Sequence, residues 1–76
     1  MKAKITYKCE DLILILPESL ETIVFKSEKG LKTAINNNIN KNYGNMERIF
    51  GKGNTVNVSV RCSPEKPVIS SFNLNI

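Results

Sequence analysis

Residues 55–62, TVNVSVRC, alternate without exception between polar and apolar positions, and residues 2–9, KAKITYKC, do the same. Successive side chains of an extended strand point to opposite faces, so each segment is a strand with one face to bury. Ala3, Ile5, Tyr7 and Cys9 share one face of the first, and Val56, Val58, Val60 and Cys62 share one face of the second. The opposite faces carry Lys2, Lys4, Thr6 and Lys8, and Thr55, Asn57, Ser59 and Arg61. A third alternating run, Val68, Ser70, Phe72, Leu74 and Ile76 against Ile69, Ser71, Asn73 and Asn75, follows a turn-forming SPEKP segment. Something must cover these apolar faces.

The cover is in the middle of the chain. Ser27 is a good helix N-cap, and Glu28 places negative charge at the positive end of the helix dipole. At 100° per residue, Leu31, Ala34, Ile35 and Ile39 fall within about 140° of one another, the width of a core-facing stripe. Asn38 falls close to the centre of that stripe, whereas Lys29, Lys32, Thr33, Asn36, Asn37 and Asn40 fall outside it. Gly44 is able to take a left-handed C-terminal conformation, which predicts a helix end near Asn42 or Tyr43. After it, NMERIF reads as a short separate element. Residues 51–54 read as a glycine-flanked hairpin turn, with Lys52 at its tip.

The remaining elements are less distinct. The acidic pair Glu10 and Asp11 predicts a tight, solvated connection to LILIL, residues 12–16. That apolar run fits a central strand covered on both faces, or a strand whose second face meets another copy of the chain. Pro17 ends it, and ESLETIVFKS predicts a turn followed by a short strand over residues 22–26. The order is of the kind ββ(β)αβββ. It gives a single α+β domain with two layers, one helix packed on a four- to five-stranded, mainly antiparallel sheet. A β-grasp-like crossover is one way to connect it, as an analogy of topology alone.

A chain of 76 residues buries only about 60% of the surface its unfolded form exposes, so the core must be small. The amino terminus has no apolar signal-peptide core, and no apolar run reaches membrane-spanning length. These features predict a soluble, cytoplasmic protein without a membrane partner. In that compartment Cys9 and Cys62 are expected as reduced, packed thiols.

Function is constrained mainly by what is missing. There is no histidine, which removes the commonest general base and the commonest metal ligand. The acids and thiols show no metal-ligand spacing, and FGKGN lacks the pattern of a phosphate loop that leads into a helix. The expectation is a protein that is not an enzyme and holds no cofactor or metal.

Charge points instead to binding. The net charge is +4, and it is uneven: residues 1–25 carry three lysines against four acids, while residues 26–76 carry eight basic side chains against three acids. Such a field favours anionic partners. Two surfaces qualify. One is the outward face of the helix, with Lys29, Lys32, Asn36, Asn37, Asn40 and Lys41. The other is the outward face of the sheet, where Lys4, Arg61, Lys2, Lys8 and the Thr, Ser and Asn positions gather if the first and last strands are neighbours. Lys52 adds a cation at its loop. The sheet face lacks aromatic side chains, so any contact with nucleic acid there is charge-driven.

Asparagine, lysine and isoleucine share A/T-rich codons, which suggests a bacterium of low GC content or one of its phages or mobile elements. The expected role is a small basic binding module that occupies a bacterial protein or nucleoprotein complex, as inhibitor or adaptor. The alternative is a direct nucleic-acid binder or small regulator. A homodimer would cover the second face of residues 12–16.

Overall fold

The computed structural model describes residues 1–9, 12–14, 22–63 and 65–76, with residues 12–14 described by their backbone. Its elements are β1 (Lys2–Cys9), β2 (Leu12–Leu14), β3 (Thr22–Val24), α1 (Glu28–Phe50), β4 (Thr55–Arg61) and β5 (Val68–Asn75). One helix packs on an antiparallel sheet, and the domain is α+β with two layers. The strand path is β2-β1-β4-β5, with β3 also paired to β1. Every described pairing is antiparallel, so among the described residues there is no β-grasp-like parallel contact.

The alternating segments became β1 and β4, and they sit side by side, with Ile5 opposite Val60 and Tyr7 opposite Val58. Their apolar faces form the centre of the core: Val56, Val58 and Val60 are fully buried, as is Tyr7. Phe25, Ile35, Ile39, Met46 and Phe50 close over them. At about 25 cal/mol per Å² of apolar area removed from water, this contact is the main stabilising term available to so small a chain.

The helix begins as its sequence predicts. Ser27 has an extended backbone, its Oγ accepts from the Gly30 N–H at 3.1 Å, and Glu28 occupies the first turn. It does not end at Gly44. It continues to Phe50 and is capped by Gly51, whose φ is +92° and whose N–H donates to the Glu47 carbonyl at 3.1 Å. NMERIF is therefore the end of the helix, and among the described residues two strands, β4 and β5, follow it. The reason is tertiary: Ile35, Ile39, Asn42, Met46 and Phe50 form one continuous buried stripe. Burying Met46 and Phe50 outweighs the cost of about 1 kcal/mol for a glycine in a helix interior.

Three further expectations change. Residues 12–14 form a strand, but it lies at the end of the strand path rather than in the centre, because an apolar run specifies burial and not strand order. Ile15, Leu16, the acidic pair and the turn before β3 lie outside the described residues, whereas Thr22–Val24 is the expected short strand. The turn at residues 51–54 joins helix to strand and is not a hairpin tip. Cys62 is exposed and Cys9 half-buried, both as free thiols. The alternation of β4 holds through Arg61, but the strand stops there, beside an irregularity that leaves Ile69 of β5 as the extra residue, so Cys62 lies beyond the strand and off the buried face.

Candidate functional site

The sheet has one face under the helix and one face open. On the open face Lys4 lies opposite Arg61, Thr6 opposite Ser59 and Lys8 opposite Asn57. These six side chains line one shallow depression of about 370 Å³. Its described lining holds three cations and no carboxylate. The cations are spread along two adjacent strands, so their spacing follows from strand geometry: about 4.8 Å across the pair and about 6.6 Å between side chains on the same face of one strand. Repeating anionic groups are the natural complement of such a surface.

Neighbouring hydrogen bonds fix the polar part of this face. Lys4 Nζ donates to Thr22 Oγ1 at 3.0 Å, which holds the ammonium beside β3. The Asn57 amide donates to Ser71 Oγ and to Asn73 Oδ1, both at 3.3 Å, and Ser59 Oγ donates to Asn57 Oδ1 at 2.7 Å. Thr55 Oγ1 donates to Asn75 Oδ1 at 2.9 Å. Hydroxyls and amides thus form a ladder from β4 onto β5. The first and last strands are not neighbours, which was the condition considered for gathering these side chains; β4 lies between them and gathers both sets instead.

The helix face is also exposed. Lys29, Lys32, Asn36, Asn37, Asn40 and Lys41 are all exposed, with Lys32 and Asn36 at the border of the helix that faces β5. Lys29 and Lys32, however, share their surface depression with Glu28. A carboxylate among the cations weakens any attraction for a phosphate, and the helix and sheet faces point away from each other. Lys52 is exposed in the loop after the helix. The loop amides beside it are already used, since Gly51 N–H goes to Glu47 and Gly53 N–H goes to the Ile76 carbonyl at 2.6 Å. Lys52 therefore has no cradle of free glycine amides around it.

One constellation lies inside the molecule. The Tyr7 hydroxyl donates to Asn38 Oδ1 across the two layers. The Asn42 amide donates to Asn38 Oδ1 at 3.1 Å and to the Asn38 carbonyl at 2.9 Å. Asn38 is 8% exposed and Asn42 1%. Burial pushes the Tyr7 pKa up from 10.0 to about 12, against a smaller lowering by the side-chain hydrogen bond with Asn42. The phenol stays neutral and acts as a fixed donor. Asn38 was legible from the helical phase. Asn42 was not, because the helix was expected to end there, although position 42 continues the same stripe.

Comparison with protein-family models, with curated proteins and with solved structures finds no match. The functional reading therefore rests on the geometry of this chain.

Proposed function

We propose that the protein is a small non-enzymatic binding module that acts by occupying a bacterial nucleoprotein complex, with the open sheet face as the contacting surface. The observation that supports this reading is the gathering of Lys4, Lys8 and Arg61 with Thr6, Asn57 and Ser59 in one depression whose described lining has no acid. Lysine and arginine neutralise phosphates, and neutral hydroxyls and amides add hydrogen bonds to phosphate or sugar oxygens. The residues that surround the cations suit backbone contact. They carry no aromatic platform for stacking bases, so sequence preference is expected to be weak. The source in an AT-rich bacterium or its phage, and the role as inhibitor or adaptor, belong to the same proposal.

Charge reversal separates the two faces. Lys4→Glu with Arg61→Glu is expected to abolish binding to a labelled single-stranded or duplex oligonucleotide at low salt, with circular dichroism unchanged. Lys29→Glu with Lys32→Glu is expected to weaken it only slightly. The reverse ranking would move the function to the helix. Absence of binding to any nucleic acid by the unaltered chain would leave a protein surface as the target and end this reading.

A further inference from the structure

The last strand of the path ends in an open edge. β5 pairs with β4 on one side, and no described strand lies on its other side. The direction of its main-chain groups follows from one bond: Ile76 N–H donates to the Asn54 carbonyl at 3.1 Å, and the Ile76 carbonyl accepts from Gly53. Main-chain groups alternate along an antiparallel strand, so Leu74, Phe72 and Ser70 also face β4. Ser71, Asn73 and Asn75 then present their N–H and C=O groups to the open side. Soluble proteins usually protect such an edge with charge, proline or a covering element. Residues 68–75, VISSFNLN, contain neither a charge nor a proline.

The side chains of β5 show the same incompleteness. Phe72 points to the core side, opposite Val58, yet it is 36% exposed. The helix approaches the sheet closest over β3 and β2, at the other end. A groove of about 210 Å³ is left between Lys32, Ile35 and Asn36 of the helix and Ser70 and Phe72 of β5.

We propose that a second copy of this chain occupies that edge, with the two β5 strands pairing antiparallel about a two-fold axis at Asn73. Charge and register together select this occupant. The +4 of the chain resides on other elements, so two like-charged molecules meet along an uncharged strand. The irregularity at the start of β5, opposite Val60 and Arg61, confines regular pairing to the segment after Ile69. Centring the axis on Asn73 sets Asn73 against Asn73 and Ser71 against Asn75, each pair exchanging two main-chain hydrogen bonds, and leaves the irregularity outside. On the core side it sets each Phe72 against Leu74 of the other copy. On the open face it brings Ser71, Asn73 and Asn75 together, extending the Ser and Asn ladder that β4 and β5 already form. This pairing uses a different edge of the molecule from the cationic depression and does not rest on the function proposed above.

An edge-to-edge contact is smaller than a standard interface of about 1,600 Å², so the dimer is expected at micromolar rather than nanomolar concentration. Sedimentation equilibrium over a concentration series is expected to show mass rising from one chain toward two. Because the monomers carry like charge, salt should leave this association unchanged or strengthen it. Ser71→Pro removes an N–H that the monomer does not use, together with the exposed Oγ that accepts from Asn57 at 3.3 Å, and is expected to raise the dissociation constant by at least about tenfold while lowering the thermal midpoint of the monomer only slightly, since the Asn57 amide keeps Asn73 as an acceptor. Asn73→Cys, in a Cys62→Ser background, should form a disulfide between copies under mild oxidation, which tests the register even if the proline variant fails to fold. A chain that stays monomeric at millimolar concentration overturns the proposal. So does a dimer that tolerates Ser71→Pro and does not cross-link through position 73. A monomer whose β5 edge is protected only by an extended peptide of another sequence would assign the edge to strand addition by a different protein.

Discussion

Tyr7, Asn38 and Asn42 form a closed polar network in a core that is otherwise apolar. Each donor there has an acceptor, and among the described residues no buried side-chain polar atom lacks a partner. Asn38→Ala leaves the Tyr7 hydroxyl without its acceptor and is expected to cost about 2 kcal/mol in denaturant unfolding. A neutral result would mean that the hydroxyl finds water instead. The tyrosine also sets an alkaline limit. Its folded pKa, about 12, lies above the unfolded value of 10.0, so its contribution is complete below pH 10 and is lost as the pH rises toward 12. Tyr7→Phe should flatten that part of the stability profile, measured as unfolding midpoint against pH. The thiols give a simpler test. Cys62 is expected to react with a bulky thiol reagent in the native state, and Cys62→Ser to change stability by less than about 0.5 kcal/mol. Protection of Cys62 until denaturant is added would contradict its exposed position.

At the scale of elements, the strand alternation was the most legible part of the sequence. Period-two patterning fixed which face of β1 and β4 is buried, because a one-residue slip would have exposed three valines. The helix start was legible from Ser27 and Glu28. Its end was not, because Gly44 satisfies the local rule for a C-cap and only the packing of Met46 and Phe50 overrides it. Sequence also could not place β2 at an edge, or Cys62 outside the core, since strand order and the irregularity beside Arg61 are properties of the assembled sheet. Gly44 now provides a direct test. A Cβ there meets nothing within 4 Å, so Gly44→Ala should stabilise by about 1 kcal/mol and raise the thermal midpoint by about 4 to 8 °C. No gain would indicate that the helix is interrupted there. Asn36→Ala with Asn37→Ala, on the exposed face, should also raise the midpoint slightly, opposite in sign to Asn38→Ala on the same helix.

On the scale of the whole molecule, the fold separates its surfaces. One sheet face is committed to the helix, the other gathers Lys4, Lys8 and Arg61, and the uncharged β5 edge lies to one side. The sheet face was legible as a list of cations, but their convergence depended on β4 lying beside β1. The helix cations, equally conspicuous in sequence, share their surface with Glu28. Salt dependence of oligonucleotide binding, measured by fluorescence anisotropy, addresses the central claim most directly. Three cations that displace counterions from phosphates should give a slope of log affinity against log salt of about −2 to −3, and Lys8→Gln should make it shallower by about one. Binding that is insensitive to salt, or a slope that Lys8→Gln leaves unchanged, would contradict the assignment of the open sheet face as the contacting surface.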